Sequence, residues 1–165
     1  MRRLLILLPL AASLAACSGG FPNDPDSRAR TARAEPAREP YYRIQRMGRE
    51  TDYIMTERLL FPIDSAHISN NAYEMVADVA ADARGRPEVK VIVDGYTDTT
   101  GSQDHNQQLS EARADAVAEV LKRHGINGAR ISTRGFGETR LAVPTGDQVK
   151  EAQNRRVVIR LVDQG

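Results

Sequence analysis

The sequence has no tryptophan, three phenylalanines and one cysteine among its 165 residues. So few aromatic side chains offer few platforms on which nucleic-acid bases could stack. The charge is also nearly balanced, with 23 Lys and Arg against 22 Asp and Glu, so no basic surface for a phosphate backbone is predicted. We therefore expect no nucleic acid among the partners.

The only cysteine, Cys17, excludes a disulfide within the chain and lies at the end of a secretory signal. Arg2 and Arg3 form the positive start of that signal, and the apolar stretch from Leu4 to Leu14 is too short to span a bilayer as a stable helix. The letters "LAAC" resemble the bacterial lipobox, where the peptide is cut before a cysteine that then carries lipid. The alternative is an ordinary signal peptide with a chance cysteine, although a free thiol would be a liability in an exported protein.

Acylation of Cys17 would determine where the protein is located in the cell. Several acyl chains on Cys17 would make a durable anchor, because each buried CH₂ contributes about 0.8 kcal/mol. Ser18 follows the cysteine, and the absence of Asp there favours the outer membrane over the inner one by the sorting preference of such lipoproteins. We expect a lipid-anchored protein of the outer membrane whose domain faces the periplasm.

Three segments are predicted along the chain. Residues 1–16 are the signal peptide, and residues 17–50 hold the lipidated Cys17 and a flexible tether rich in Pro, Ala and Arg. Residues 18–40 carry four of the eight prolines and no apolar periodicity, so they cannot bury enough surface to offset the entropy of ordering. Residues 51–165 form one domain.

Apolar periodicity within that domain predicts an α/β sandwich of order β-α-β-α-β-(α)-β. Two long helices pack on one face of a mixed four-stranded sheet. Ser69 is a possible cap of the first helix, and Gly125 ends the second. The predicted strands are 53–61, 89–95, 129–137 and 155–162, the second long helix is 103–124, and a helical turn is expected in 146–154.

An arginine interrupts the apolar ridge of the second long helix. Leu109, Arg113 and Val117 share one line on this helix, and a buried guanidinium needs an anion because it does not lose its proton. Asp98 follows the second strand and is the leading partner. The residues alone leave two interpretations open: a buried ion pair that fixes the loop, or the two poles of a site for a zwitterion.

The stretches "GYTDTTGSQDHNQQLSEARADAV" and "NRRVVIRLV" resemble the OmpA-like C-terminal domain, which peptidoglycan-associated lipoproteins share. The resemblance covers roughly residues 55–163, and the spacing from Asp98 to Arg113 agrees with the family pattern. One position departs from it, because Tyr96 stands where the family usually has histidine before Thr-Asp. Tyrosine keeps an aromatic body and a hydrogen-bonding hydroxyl but cannot become cationic near neutral pH. If the family's histidine only packs, the exchange changes nothing, and if it contacts glycan, affinity shifts, so Tyr96 is not among the predicted site residues.

The resemblance implies non-covalent binding of peptidoglycan through diaminopimelate. Asp98 would hold the amine of that group, Arg113 its carboxylate, and Thr100 would donate a backbone N–H. The other implied contacts are Asn106 and Asp64 in the pocket wall and Arg155 on the far side. The alternatives are that Asn106 only bonds the loop backbone, that Asp64 is a turn residue, and that one of Arg155 and Arg156 is solvated because they alternate across a strand.

An enzyme and a protein-interaction module are the two other classes of function that the sequence brings into question. His67, His105 and His124 lie apart, and neither a metal-binding spacing such as HExxH nor a Ser-His pairing is visible, so no enzyme, cofactor or metal is expected. A protein-interaction module that docks a Tol-type periplasmic protein is the alternative to wall binding. The expected function is an outer-membrane lipoprotein that binds diaminopimelate-containing peptidoglycan and tethers the membrane to it.

Overall fold

The structure is a computed structural model that describes residues 42–62 and 65–164. Its elements follow the order β-β-α-α-β-α-β-β. The strands are β1 (Tyr42–Met47), β2 (Glu50–Thr56), β3 (Lys90–Tyr96), β4 (Ile131–Gly135) and β5 (Arg156–Val162), and the helices are α1 (Glu57–Leu60), α2 (Asn70–Gly85) and α3 (Gln103–Arg123), with a 3₁₀ turn at Gly128–Arg130.

The strands form one mixed sheet in the order β1-β2-β5-β3-β4. β3 and β4 are parallel, and every other neighbouring pair is antiparallel. The α/β fold class is therefore confirmed, but the sheet has five strands where four were expected. The additional strand, β1, lies in the segment 17–50 that was expected to be tether, and it forms a hairpin with β2 through Gly48 at a φ of 58°.

Both long helices pack on one face of the sheet. Alternate residues of the strands, such as Val91 and Val93 of β3 and Ile159 of β5, join buried residues of α2 and α3 in a single apolar core. This alternation follows from the period of two in a strand. Val158 is buried as well but lies outside that core, because it belongs to the opposite face of β5.

Both long helices begin at the serines that their sequences place there. The Ser69 hydroxyl accepts a hydrogen bond from Ala72 N–H at 3.3 Å, and the Ser102 hydroxyl accepts one from His105 N–H at 3.3 Å. These bonds satisfy backbone donors that have no partner within the helix. After α3 the chain reverses at Gly125, whose φ of 87° suits glycine.

A glycine on the sheet lets α3 come unusually close. A Cβ added to Gly95 of β3 would lie 2.1 Å from the Ser110 carbonyl oxygen on α3. Helix α3 can therefore sit against the strand ends, where it carries Asn106 and Arg113. Within residues 42–62 and 65–164, no helix combines the length and the apolar character needed to cross a bilayer.

Two local expectations were wrong. The strand predicted over 53–61 ends at Thr56, and the chain turns through α1 before Phe61. No helix forms in residues 146–154, which contain turns instead. Gln148 adopts a φ of 58° there, the single positive value among the non-glycine residues that the structure describes.

Candidate functional site

A cleft of about 610 Å³ opens where β2 ends and where the loop after β3 meets the start of β5. It holds charges of both signs beside an apolar edge. The lining residues are Glu57, Arg58, Phe61, Pro62, Asp98, Thr100, Lys150 and Arg155. A concave site that combines an apolar wall with a few converging charged groups fits a small ligand that carries charges of its own.

Two loops that contribute residues to the cleft are bonded to each other. Thr99 in the loop after β3 donates its hydroxyl to Gly146 O at 2.7 Å, and Val149 N–H donates to the same hydroxyl at 3.0 Å. The side chain of Gln148 bonds both the N–H and the carbonyl of Gly101, at 3.1 and 2.9 Å. These contacts fix the long segment between β4 and β5 against the loop that carries Asp98.

Asp98 is 3% exposed and accepts hydrogen bonds on both carboxylate oxygens. Oδ1 accepts from the hydroxyl and, at 3.1 Å, from the N–H of Thr100, and Oδ2 accepts from Arg155 Nη1 at 2.6 Å and from Glu151 N–H at 3.3 Å. Burial on its own would raise the pKa of Asp98, but these donors outweigh it and the pKa lies below its ordinary value. Asp98 is therefore ionised at neutral pH.

Arg155 joins two carboxylates in the cleft. Its Nη1 lies 2.6 Å from Asp98 Oδ2, and its Nε lies 2.7 Å from Glu57 Oε2. The register of the sheet causes this placement, because Thr56 pairs with Arg156 and the Glu57 N–H then donates to Arg155 O at 3.0 Å. The hydrogen bond to Asp98 raises the pKa of Arg155 despite the opposing effect of burial.

Arg113 is 2% exposed on α3, as the interrupted apolar ridge predicts, but its carboxylate partner is Glu57 and not Asp98. Arg113 Nη2 donates to Glu57 Oε1, and Nε donates to Ser65 O at 3.4 Å. The guanidinium also lies 5.3 Å from the centre of the Phe61 ring. Asp98 and Arg113 share no direct bond. They are linked through Arg155 and Glu57, so Asp98 is not the direct anion of Arg113, and of the two open interpretations the simple Asp98–Arg113 ion pair is not formed. The site for a zwitterion stays a prediction.

The remaining predicted residues fall into three groups. Thr100 lines the cleft, but its N–H is directed at Asp98. Asn106 is buried beside the cleft, where its amide donates to Asp98 O at 3.3 Å and to Glu138 Oε2 at 2.6 Å, so it bonds both the loop backbone and an acidic side chain, and its role in binding stays a prediction. Asp64 and Cys17 lie outside the described residues, and their roles stay predictions.

Glu57 is the most central of the cleft residues that the sequence did not reveal. It was included in the predicted strand 53–61, and no local pattern distinguishes it from the neighbouring charges. Its position depends on the antiparallel register between β2 and β5, which brings it opposite Arg155 from far along the chain. Lys150 and Arg58 were missed for the same reason, because each reaches the cleft only through the tertiary fold.

Tyr96 lies outside the cleft, at the end of β3. Its ring stacks on Phe136 with centroids 5.2 Å apart, and the Arg156 guanidinium lies 3.8 Å from its centre. Arg156 therefore points away from the cleft while Arg155 points into it, as alternation along a strand requires. Burial, followed by the charge of Asp94, raises the pKa of Tyr96 although nearby arginines oppose the shift.

The four charges of the site alternate in sign. A continuous chain of ion pairs runs from the buried face of α3 into the cleft, in the order Arg113, Glu57, Arg155 and Asp98. Such an arrangement can hold a ligand with both an ammonium and a carboxylate group, because acceptors and donors of opposite charge lie within one small cleft. In the described part of the chain, no cluster of three or more His, Cys, Asp or Glu side chains is placed to hold a metal ion.

Comparison with known proteins gives matches to one family. The family model described as the OmpA family matches residues 60–155. The chain is 35% identical over 118 residues to the probable lipoprotein YiaD of Escherichia coli (strain K12), covering 72% of this chain and 54% of that protein. It is 35% identical over 98 residues to the peptidoglycan-associated lipoprotein of Legionella pneumophila, covering 59% and 56%. The chain thus spans about half the length of these curated relatives.

Solved structures with the same fold are more distant in sequence. The peptidoglycan-associated lipoprotein from Burkholderia pseudomallei has a TM-score of 0.56 at 24% identity, over 62% of this chain and 87% of that one. The cell wall anchor of the T6SS from Pseudomonas aeruginosa has a TM-score of 0.66 at 21% identity, over 75% and 89%. At these identities the likeness establishes the fold alone.

Proposed function

The chain belongs to the OmpA family, and we propose that it is an outer-membrane lipoprotein that binds diaminopimelate-containing peptidoglycan without a covalent bond. Acyl chains on Cys17 hold the membrane, and the domain holds the wall. The observation that carries this proposal is the cleft in which Asp98 and Arg155 meet Glu57, which pairs in turn with the buried Arg113 behind it. The names of its relatives, among them peptidoglycan-associated lipoproteins, support the same function.

The ligand group is the amino-carboxylate end of diaminopimelate. Its ammonium binds Asp98, which is ionised at neutral pH. Since both oxygens of Asp98 already accept hydrogen bonds, the ammonium takes the place of one of those donors. The carboxylate binds the arginines, whose planar guanidinium groups match it in geometry. Few groups converge, so one site is weak, and attachment becomes firm because many copies bind one polymer.

Sedimentation with purified cell wall tests the proposal. The protein would be the chain from residue 17 with Cys17→Ser, which prevents acylation, and its Asp98→Ala and Arg113→Ala variants, each checked for folding. We expect the parent protein to pellet with diaminopimelate-type wall and both variants to stay in the supernatant. If the folded parent protein stayed in the supernatant, wall binding would be rejected and docking of a Tol-type periplasmic protein would become the leading alternative.

The anchor requires a separate experiment. Cells that express the full chain would be fractionated, and the protein would be compared with its Cys17→Ser variant. We expect the unmodified chain in the outer-membrane fraction and the variant among soluble periplasmic proteins. Equal amounts of both in the membrane would show that the anchor does not depend on this cysteine.

A further inference from the structure

Glu57 occupies a position in the cleft that the proposed ligand also needs. Its carboxylate contacts the guanidinium groups of Arg113 and Arg155, which are the two cations assigned to the ligand's carboxylate. The side chain of Arg113 is 3% exposed and that of Glu57 is 15% exposed. Glu57 lines the cleft and Arg113 does not, so Glu57 lies between the buried cation and the space where a ligand enters.

A buried arginine must have a counterion when the site is empty. Removing the partner of a buried charge is costly, because the remaining charge is neither hydrated nor paired. Ser65 O accepts a hydrogen bond from Arg113 but carries no net charge, and the ring of Phe61 compensates only partly. Within the described residues, Glu57 is the single carboxylate that pairs with Arg113.

The contact between Glu57 and Arg155 is not fully formed. Glu57 Oε2 is 2.7 Å from Arg155 Nε, yet it is buried and has no hydrogen bond of good geometry. The interaction is therefore an ion pair without an aligned donor, and this oxygen stays poorly satisfied. A carboxylate held in this way is easier to displace than one that accepts aligned bonds on both oxygens.

The local backbone allows the displacement. Glu57 is the first residue of α1, a single turn whose Thr56 cap makes no side-chain hydrogen bond. The Glu57 N–H is bonded to Arg155 O, which fixes the backbone, so only the ion pairs to Arg113 and Arg155 hold the side chain in its position. Rotation about side-chain bonds is therefore enough to bring the carboxylate out of the cleft into water.

From these observations we infer that Glu57 is an internal substitute for the ligand's carboxylate, which neutralises Arg113 in the free protein and is displaced when diaminopimelate binds. This inference rests on the proposed function and adds a residue that sets affinity for that same site. The exchange replaces one carboxylate by another, so the new ion pair contributes little net binding energy. Glu57 therefore weakens each single contact with the wall.

Removing the charge of Glu57 tests the inference directly. Binding of meso-diaminopimelate would be measured by isothermal titration calorimetry for the parent chain from residue 17 with Cys17→Ser, and for that chain carrying Glu57→Gln. Glu74→Gln, an exposed acid on α2, serves as the charge-matched control. We expect Glu57→Gln to bind about tenfold more tightly, as one charge-assisted contact no longer has to be broken, and Glu74→Gln to match the parent chain.

The outcomes separate the two proposals. If the parent chain binds meso-diaminopimelate and Glu57→Gln binds equally or more weakly, the inference is wrong while the proposed function stands. If Glu74→Gln tightened the binding of meso-diaminopimelate as much as Glu57→Gln does, the effect would come from net charge alone, and the inference would also be wrong. If the folded parent chain binds neither meso-diaminopimelate nor cell wall, the proposed function itself fails.

A second measurement keeps the test valid if Glu57→Gln does not fold. A crystal structure of the parent chain with meso-diaminopimelate would show which carboxylate lies on Arg113. We expect a ligand carboxylate within hydrogen-bond distance of the Arg113 guanidinium and Glu57 turned toward solvent. Persistence of the Glu57–Arg113 pair in that complex would overturn the inference.

Discussion

Arg155 Nη1 lies 2.6 Å from Asp98 Oδ2, and this ion pair joins the start of β5 to the loop after β3. The same guanidinium contacts Glu57 beyond the end of β2, so one side chain connects three segments that are distant in sequence. Each partner depends on the others for neutralisation, because none of them is fully hydrated. These charges therefore contribute to the stability of the fold, and under the proposed function the same charges would bind the ligand.

The stability of the protein should depend on the ionisation of Asp98. The pKa of Asp98 is lower in the folded chain than in the unfolded one, so ionised Asp98 stabilises the fold. This stabilisation is fully present above the pKa of the unfolded chain, about 3.9, and is lost as the pH falls through the pKa of the folded chain. We expect Asp98→Asn to lower the free energy of unfolding by about 2 kcal/mol at neutral pH. Urea unfolding of both proteins at pH 7, 5 and 3 measures this.

The pH dependence is the decisive part of that experiment. The difference between the parent protein and Asp98→Asn should be the same at pH 7 and pH 5 and should become smaller at pH 3, because there the unfolded chain takes up a proton at Asp98 more readily than the folded chain does. A difference that is unchanged at pH 3 would mean that the hydrogen bonds to Asp98 do not depend on its charge.

The close contact between α3 and the sheet should make Gly95 intolerant of any side chain. A Cβ at this position would lie 2.1 Å from Ser110 O, a backbone atom that cannot move independently of the helix. We expect Gly95→Ala to lower the free energy of unfolding by about 3 kcal/mol, the upper end of the usual cost of overpacking. Gly85→Ala is the control, since no atom lies within 4 Å of its added Cβ.

Urea denaturation of the two glycine variants gives the comparison. Gly85→Ala should stay within about 0.5 kcal/mol of the parent protein or be slightly more stable, because alanine restricts the unfolded chain. Equal stability of the two variants would contradict the close packing of α3 on β3. A shift of α3 would also displace Arg113, so Gly95→Ala should bind the wall more weakly.

Two exposed cations at the cleft give a prediction about salt. Lys150 and Arg58 line the cleft and have no carboxylate partner among the described residues. They are available to attract an anionic ligand, and such attraction is screened by salt. We expect Lys150→Gln to weaken sedimentation with cell wall about threefold at low salt and by less at 0.5 M salt.

The control for this variant is Lys90→Gln. Lys90 is exposed at the opposite end of β3, so its removal changes the net charge equally without altering the cleft. Lys90→Gln should bind as the parent protein does at both salt concentrations. An equal loss in both variants would assign the effect to net charge, and no loss in either would remove Lys150 from the site.

Local patterns in the sequence were sufficient for some parts of this structure. The apolar spacing and the serine caps determine α2 and α3, and the interrupted ridge correctly indicates a buried Arg113. These features depend on residues close together in the chain, which is why they can be read without a structure. Asp98 and Arg155 were found through motifs and lie in one cleft.

Features that depend on strand pairing were not predictable in this way. Glu57 reaches Arg113 because β2 and β5 pair in one antiparallel register, and a run of apolar residues does not reveal register. The strand β1 was missed because its residues are mostly exposed and carry Arg43 and Arg46, as expected for an edge strand that avoids further pairing. Both errors arise from contacts between segments that are distant in sequence.

The position of Tyr96 gives a prediction that separates packing from binding. Its ring is 5% exposed between Phe136 and Arg156, and it does not line the cleft. We expect Tyr96→Ala to lower the free energy of unfolding by about 3 kcal/mol, as for other buried aromatic residues. Tyr96→Phe keeps the stacked ring and should change the free energy of unfolding by less than about 1 kcal/mol, since the hydroxyl makes no hydrogen bond to any residue in 42–62 or 65–164.

Binding to cell wall should not change when Tyr96 is replaced by another aromatic side chain. Tyr96→Phe and Tyr96→His should both sediment with cell wall as the parent protein does, because the aromatic stack lies on the side of Arg156 and the cleft lies on the side of Arg155. The measurement is the fraction pelleted at a temperature where each variant is folded by circular dichroism. Tighter binding by folded Tyr96→His alone would place this position in contact with the ligand and would extend the site beyond the cleft.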